Sequence, residues 1–235
     1  MPGTMPILPW RRNPRVCPVW HVDPPASCPP SPAMQLAIID YEAGNLTSVQ
    51  RALHHLGIAA TITPDPDLVA RADRVIFPGV GAAGSCMANL VKSGLGEALT
   101  AAIRAGRPVL GICVGMQLLF EHSDEDGGTP CLGILPGVVE RFPNEDRRLK
   151  VPHMGWNAVE HDGDPLFAGI APGSRFYFVH SYYCAPDTHI RVNAWSEHGV
   201  HFACGVRQDN LAAVQFHPEK SGELGLRLLR NFCSS

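Results

Sequence analysis

Residues 108–117 read Pro108-Val109-Leu110-Gly111-Ile112-Cys113-Val114-Gly115-Met116-Gln117. An apolar run that ends in Gly-x-Cys-x-Gly and then becomes helical is typical of a nucleophile elbow, the strained strand-to-helix turn that presents a nucleophile at the top of a sheet. Gly111 and Gly115 fit this interpretation because so tight a turn leaves no room for bulky side chains. The stretch predicts an α/β fold in which Cys113 is the nucleophile of an acyl-transfer enzyme. The alternative is that Cys113 is a small buried apolar residue.

Strands and helices alternate on either side of this stretch from Gln35 onward. Near-continuous apolar strands of this kind predict an open, mostly parallel sheet that helices cover on both faces. Short alternating strands after Gly128 predict additional antiparallel strands in the C-terminal half. Asn45 is expected to cap a helix that runs to His55. The predicted strands cover residues 36–40, 75–77, 109–112, 137–142, 176–183, 191–195, 201–207 and 212–216, and the other predicted helices cover residues 95–105 and the segment from 219 or 221 to 232.

The composition limits the class of protein. The chain has 235 residues, 45% of them hydrophobic and 17% charged, which suits a globular domain with a sizeable core. A net charge of −3 gives no electrostatic reason to expect binding to nucleic acid or to a membrane surface. No apolar run reaches the roughly 18 residues of a membrane span. The eight cysteines lack regular spacing and no secretory signal is recognisable, so reduced thiols in a cytoplasmic enzyme are predicted.

Residues 1–33 differ in composition from the rest of the chain. They contain Pro2, Pro6, Pro9, Pro14, Pro18, Pro24, Pro25, Pro29, Pro30 and Pro32. So much proline removes backbone donors and favours extended, unpaired conformations. We therefore expect a proline-rich tail that is disordered or a start-site artefact, followed by one folded domain over residues 34–235. A chain that begins at Met34 is expected to fold and to keep its activity.

A histidine and a carboxylate follow the last predicted strand. His217 ends the apolar run 212–216, and Pro218 breaks the strand ladder directly after it. Because open α/β sheets place their sites at the carboxyl ends of the strands, His217 can lie near Cys113 and take the thiol proton. Glu219 can accept a hydrogen bond from the imidazole and fix its tautomer. The alternative is a surface turn in which Glu219 merely begins the last helix.

Backbone amides are expected to complete the site. Gly79 and Gly81 lie in the string Pro78-Gly79-Val80-Gly81, which follows another predicted strand. Two glycines let the backbone approach a ligand and aim amides at a developing oxyanion, with the amide of Val114 as the second donor. The alternative is an ordinary glycine turn.

A metal site or cofactor is not expected, although the chain has 11 histidines. His198, His201 and Cys204 are spaced three residues apart, which looks like ligand spacing. However, residues 201–207 are predicted to form a strand, where residues three apart face opposite sides.

Several strings, taken together, resemble a known family. Pro78–Gly81, Gly111–Gln117 and Gln215–Glu219 are similar to segments of the class I glutamine amidotransferases, which use a catalytic triad. Further strings resemble the glutaminase subunits of imidazole glycerol phosphate synthases, and the resemblance covers residues 34–235. These further strings are Ile39–Asn45, Lys150–Asn157, Phe176–Tyr183 and His217–Ser221.

The resemblance implies a reaction and a set of residues. Cys113 would attack the side-chain amide of glutamine, His217 would protonate the departing ammonia, and Glu219 would complete the triad. The backbone of Gly79 to Gly81 and of Val114 would hold the oxyanion. The resemblance places four further residues around bound glutamine, namely Gln117, His180, Ser181 and Tyr182. It places five residues toward a partner subunit, namely Asn45, Trp156, Asn157, Tyr177 and Lys220; the alternative for Lys220 is a plain solvated lysine.

The resemblance also implies a partner, a separate (βα)8-barrel cyclase in a heterodimer. There the ammonia would help to form imidazole glycerol phosphate and the aminoimidazole carboxamide ribonucleotide of histidine biosynthesis. Free ammonia is mostly ammonium at neutral pH, so it is useful only if it is kept dry until an acceptor site receives it. Glutamine turnover is therefore expected to depend on the partner's ligand, with Pro78–Gly81 as the candidate switch. Two other functions remain open: a stand-alone cysteine hydrolase or peptidase, and a catalytically silent binding subunit.

Overall fold

A computed structural model of the protein describes residues 34–42, 44–143 and 149–234. The predicted tail of residues 1–33 lies outside the described residues. The described part contains the helices α1 Leu46–His55, α2 Pro66–Arg71, α3 Ala83–Ser93, α4 Leu95–Arg104, α5 Val114–Gln117 and α6 Gly222–Ser234. Its strands are β1 Leu36–Ile39, β2 Thr61–Thr63, β3 Arg74–Gly79, β4 Val109–Cys113, β5 His122–Ser123, β6 Thr129–Pro130, β7 Gly137–Arg141, β8 His153–His161, β9 Ser174–His180, β10 Tyr182–Pro186, β11 Arg191–Glu197, β12 His201–Gln208 and β13 Leu211–Val214.

Five parallel strands form the part of the sheet that carries the candidate site. Their order is β2-β1-β3-β4-β13, and every neighbouring pair among them is parallel. All residues of β1, β4 and β13 are buried, as expected of parallel strands that are covered on both faces. The adjacent carboxyl ends of β3, β4 and β13 bring Gly79, Cys113 and the segment after Val214 to one edge.

Antiparallel strands extend this core. β13 pairs with β12, β12 with β10 and β10 with β7, all antiparallel. β11 pairs with both β12 and β8, and β8 forms an antiparallel hairpin with β9. The arrangement confirms the predicted open α/β sheet with additional antiparallel strands in the C-terminal half.

The helices are amphipathic and bury one face. In α4 the buried residues Leu95, Ala98, Leu99 and Ala102 recur every three to four positions, which puts them on one side of the helix. α4 packs against α2 and α3, and α1 packs against α6. No helix in the described part of the chain is long and apolar enough to cross a membrane.

The structure differs locally from the predicted elements, and β2, α2 and α3 were not predicted. The single strand predicted over 176–183 is two strands, β9 and β10, which are separated by Ser181. The carbonyl of Ser181 accepts a hydrogen bond from the amide of Phe142, so it does not continue the ladder of β9. The nine-residue β8 was not predicted. The last helix begins at Gly222, after a short 3-10 turn at Pro218–Lys220, and Gly222 has φ 59°, a left-handed conformation that separates the two segments.

Candidate active site

Cys113 lies in a strained turn between β4 and α5. Its backbone has φ 55° and ψ −116°, a conformation that residues with side chains rarely adopt. A Cβ built on Gly115 would collide with the carbonyl oxygen of Phe77, so only glycine lets α5 lie this close to β3. The geometry is that of the elbow that the sequence predicts, and Cys113 is only 3% exposed.

The helix after the elbow is short. α5 is a single turn of four residues, Val114–Gln117. A helix of one turn has only a small macrodipole, so its positive end stabilises a thiolate less than that of a long helix. The partner that can activate Cys113 is therefore a side chain.

That partner is His217, which forms a buried pair with Glu219. Nδ1 of His217 lies 2.8 Å from Oε1 of Glu219, and both side chains are at most 2% exposed. Because a carboxylate only accepts hydrogen bonds, Nδ1 carries the proton. Nε2 of His217 is buried and has no well-aligned hydrogen bond. His217 and Cys113 line the same cavity, which leaves Nε2 available to exchange a proton with the sulfur.

The charges around His217 favour its protonated form. Burial by itself disfavours the imidazolium, but the negative charge of Cys113, its contact with the ring, and Glu219 outweigh this effect and raise the pKa of His217 to about 10. A protonated His217 is therefore stabilised when Cys113 is a thiolate. This is the electrostatic arrangement of an activated cysteine nucleophile.

Backbone hydrogen bonds fix the loop that carries His217. Its amide donates to the carbonyl of Tyr177 on β9 at 2.9 Å. The hydroxyl of Ser221 donates to the carbonyl of His217 at 2.7 Å and accepts from the amide of Tyr177 at 3.0 Å. Strand β9 thus positions His217 directly through its backbone.

Asn45 plays a different part from the predicted helix cap. It precedes α1 with φ 75°, and its side chain makes no capping hydrogen bond. Instead its Nδ2 donates to Oε1 of Glu219 at 2.9 Å. Asn tolerates this left-handed conformation better than most residues, and here the turn carries its amide away from the helix end and toward the carboxylate.

A cavity of about 300 Å³ opens beside Cys113 and His217. Its walls bring together residues from the elbow, from β9 and β10, and from the loop after β3. Six residues that were predicted around the oxyanion or the substrate lie there, namely Gly81, Val114, Gln117, His180, Ser181 and Tyr182. Val80, which lies within the predicted Gly79–Gly81 backbone segment, also lines it, and three further lining residues were not predicted: Glu125, Pro152 and Val179.

Gly79 lies behind the elbow and does not line the cavity. It is opposite Cys113 in the register of β3 and β4. A side chain there would meet the hydroxyl of Tyr41 and the amide of Gly115. Gly79 therefore permits close packing under the elbow, whereas Val80 and Gly81 reach the cavity.

Hydrogen bonds hold the loop that follows β3. The hydroxyl of Tyr41 donates to the carbonyl of Pro78 at 2.9 Å, and Sγ of Cys86 lies 3.7 Å from the carbonyl oxygen of Val80. Gly81 has φ 110°, which favours glycine. The segment is thus held at two carbonyls while its glycine keeps conformational freedom.

Glu125 brings a carboxylate into the cavity. One of its oxygens accepts from the amide of Ala83 at 2.7 Å. Burial raises the pKa of Glu125, although the Ala83 amide opposes this rise. The sequence offers no recognisable signal for it, because the string Ser123-Asp124-Glu125-Asp126 looks like an ordinary acidic loop.

Predicted partner-facing residues lie on the β8–β9 hairpin and beside the candidate triad. Trp156 is 50% exposed, and its ring contacts that of Tyr177 edge-on. Tyr177 and Asn157 are half-buried, and Lys220 is exposed. Met154, which was not predicted, is 63% exposed next to them. Met154, Trp156 and Tyr177 therefore form an apolar surface patch, and the backbone of Tyr177 binds the amide of His217.

Among the described residues, no cluster of three His, Cys, Asp or Glu side chains could hold a metal ion.

Comparisons with known proteins point to one family. The family model for glutamine amidotransferase class-I matches residues 37–235. The imidazole glycerol phosphate synthase subunit HisH of Thiobacillus denitrificans is 52% identical over 210 residues, which cover 85% of this chain and 91% of that protein. HisH of Dechloromonas aromatica is 53% identical over 205 residues, or 84% of this chain and 94% of that protein. A crystal structure of a glutamine amidotransferase has the same fold, with a TM-score of 0.67 and 21% identity over 84% of this chain and 97% of that chain.

Proposed function

The chain belongs to the class I glutamine amidotransferase family, and from this we infer that it is the glutaminase subunit of an imidazole glycerol phosphate synthase in histidine biosynthesis. Relatives that carry this name are about half identical to it over most of both chains. The observation that carries the proposal is the site itself. A strained cysteine and a histidine that is paired with a buried glutamate line one cavity of amino-acid size.

The cavity presents groups that suit free glutamine. Glutamine carries an ammonium, a carboxylate and a reactive amide. The carboxylate of Glu125 offers a charge partner for the ammonium. Both amide protons of Gln117 are engaged, with the carbonyl of Tyr182 at 2.9 Å and with Oε1 of Gln215 at 3.1 Å. Oε1 of Gln117 is therefore left to accept a hydrogen bond from the ligand.

The reaction follows from the proton positions. The Cys113 thiolate attacks the amide carbon of glutamine, and the tetrahedral oxyanion is held by the amide of Val114 and by the backbone of Val80 and Gly81, which reach the cavity. His217 donates its Nε2 proton to the leaving nitrogen, so ammonia departs and a γ-glutamyl thioester remains. His217 then takes a proton from water, which attacks the thioester and releases glutamate and the Cys113 thiolate. Glu219 stabilises the imidazolium throughout.

The ammonia passes to a cyclase partner, a (βα)8 barrel. Ammonia that escapes into water becomes ammonium and is lost to the synthesis, so the acceptor site has to dock on this chain. The patch of Met154, Trp156 and Tyr177 supports such docking, because exposed apolar surface is typical of interaction sites. Asn45, which binds Glu219, and Lys220 extend it toward the triad. The side chain of Asn157 follows Trp156 on β8 but binds the carbonyl of Glu197 on the opposite face of the strand. The cysteines of the described residues are all free thiols, which fits the proposed cytoplasmic location.

Glutamate release, measured with and without the cyclase and a ligand of the cyclase, tests this proposal. We expect the complete assembly to release glutamate about tenfold faster or more, as typical allosteric coupling allows. An equal rate for the isolated chain would contradict the coupling to a partner. Fast turnover by the isolated chain that also extends to peptides would favour a stand-alone hydrolase instead.

A further inference from the structure

Two buried histidines meet across the β8–β9 hairpin, next to the candidate site but outside the triad. His153 and His180 are opposite each other in the strand register and are 6% and 7% exposed. Nδ1 of His153 lies 3.0 Å from Nε2 of His180. Only His180 lines the cavity. The mechanism above gives His153 no part.

The neighbours of this pair fix where each proton is. Nδ1 of His180 lies 2.7 Å from the carbonyl oxygen of Tyr182, which can only accept, so this nitrogen carries a proton. At the other end, Nδ2 of Asn157 lies 2.8 Å from the carbonyl of Glu197 and 3.2 Å from Nε2 of His153. The nitrogen of Asn157 is a donor, so Nε2 of His153 accepts.

Both rings are neutral in this arrangement. Burial, with the charge of His198, lowers the pKa of His153 to about 4. Burial also lowers the pKa of His180 to about 3; the hydrogen bond to Tyr182 opposes this, and the charges of His153, His198 and His217 reinforce it. With one proton on each ring, Nδ1 of His153 donates to Nε2 of His180. All donors therefore run in one direction, from Asn157 through His153 and His180 to the carbonyl of Tyr182.

The carbonyl oxygen of Tyr182 also accepts a hydrogen bond from a residue that lines the cavity. It accepts from Nε2 of Gln117 at 2.9 Å, and Gln117 also donates to Gln215. Nε2 of Gln215 in turn lies 3.8 Å from Sγ of Cys113. If His180 carried its proton on Nε2 instead, its Nδ1 lone pair would face the carbonyl of Tyr182 at 2.7 Å and repel it.

We propose that His153 is a positioning residue for glutamine binding: its Nδ1–H fixes the tautomer of His180, which orients the Tyr182 carbonyl and through it the carboxamide of Gln117. This inference rests on the proposed glutaminase function. We call the chain of hydrogen bonds from Asn157 through His153 and His180 to the Tyr182 carbonyl the relay. Because Gln117, at its end, binds the ligand and not the leaving nitrogen, His153 is expected to affect substrate affinity.

Two substitutions of His153 separate this role from a merely structural one. His153→Asn keeps an N–H donor close to the position of Nδ1, whereas His153→Leu has a similar size but no donor. Both remove the ring and its stacking on His198 and Phe178, so the loss of stacking is common to the two. In the complex with the cyclase, His153→Leu is expected to raise KM for glutamine about tenfold, the size expected from one lost hydrogen bond. We expect kcat to change little, and His153→Asn to keep KM close to that of the wild type.

Equal KM values for the two variants, or a fall in kcat at constant KM, would overturn the role of His153. An absence of glutamine turnover by the wild-type complex would instead refute the proposed function. A second measurement does not depend on the variants folding. Nitrogen-15 NMR of the wild-type protein is expected to show neutral His153 and His180 protonated on Nδ1, and a proton on Nε2 of His180 would exclude the relay.

Discussion

At the scale of single residues, close packing around Cys113 decides which substitutions the elbow tolerates. Gly115 lies against the backbone of β3, where even a methyl group would collide with a carbonyl oxygen. A backbone atom cannot move aside as the end of a flexible side chain can. The conformation of Cys113 therefore depends on this glycine.

Gly115→Ala is expected to lower the free energy of unfolding by about 2 kcal/mol or more, the upper range of overpacking effects, and to abolish glutaminase activity. Chemical denaturation and a glutamate assay measure the two effects. Gly96→Ala in α4 is the matched control, because its Cβ would press only on the flexible end of Leu132, would lie at an ordinary contact distance of 3.9 Å from Leu90, and alanine favours a helix. Similar losses of stability in both variants would contradict the packing argument.

Individual residues also show what the sequence could and could not predict. The Gly-x-Cys-x-Gly string predicts the elbow, because its constraint is local and steric. Asn45 and Glu125 differ, since the side chain of Asn45 meets a carboxylate 174 positions away and Glu125 meets Ala83 across 42 positions. Such contacts depend on how distant elements pack, and the sequence around either residue carries no trace of them.

At the scale of elements, a buried ion pair holds the connection between β8 and β9. Asp164 begins the 3-10 turn Pro165–Phe167, where its Oδ1 accepts from the amide of Leu166 at 2.9 Å. Arg207 on β12 donates to both carboxylate oxygens, at 2.6 and 2.8 Å. Arg191 on β11 adds a contact at 3.3 Å. Three elements thus meet at one carboxylate that is 1% exposed.

Asp164→Asn is expected to reduce the free energy of unfolding by about 3 kcal/mol at pH 7, because it leaves the partly buried Arg207 facing a neutral group at a fully buried position. Asp162→Asn is the control, since it loses only the pair with the half-exposed Arg191 and is expected to cost at most about 1 kcal/mol. Urea denaturation of the two variants measures the difference. Equal costs would show that burial of Asp164 contributes nothing.

The pH dependence of this effect has a definite sign. Burial tends to raise the pKa of Asp164, but the hydrogen bonds and charge of Arg207 and the Leu166 amide outweigh it and hold the pKa below its ordinary value. A carboxylate of this kind contributes stability above its unfolded pKa of about 4 and loses that contribution as the pH falls through the lower folded value. The difference between wild type and Asp164→Asn is therefore expected to shrink below about pH 4.

Strands were predicted well where a continuous apolar run marks them, and poorly where hydrogen bonds from distant residues divide an otherwise regular run. The apolar runs of β1, β3, β4 and β13 are unambiguous because parallel strands are buried on both faces. The break between β9 and β10 is not visible in the string Phe176–Tyr183, which alternates as one strand would. The bonds that produce it come from Phe142 and Gln117, far away in the sequence.

At the scale of the whole molecule, the site and the proposed partner surface share one hairpin. The carbonyl of Tyr177 accepts a hydrogen bond from the amide of His217, and the ring of Tyr177 contacts the exposed Trp156. A partner that docks on Trp156 therefore contacts the strand next to β9, which positions His217. This geometry supports a glutaminase whose turnover depends on a bound cyclase, and the role that we propose for Cys113 is to supply a second active site with ammonia.

The most direct test of this account is the Cys113→Ala variant in complex with the cyclase, supplied with either glutamine or ammonium. Formation of imidazole glycerol phosphate is measured in both cases. We expect the glutamine-dependent reaction to disappear, and the ammonium-dependent reaction to continue at the wild-type rate because the cyclase site is untouched. Synthesis from glutamine that survives the loss of Cys113 would contradict the account.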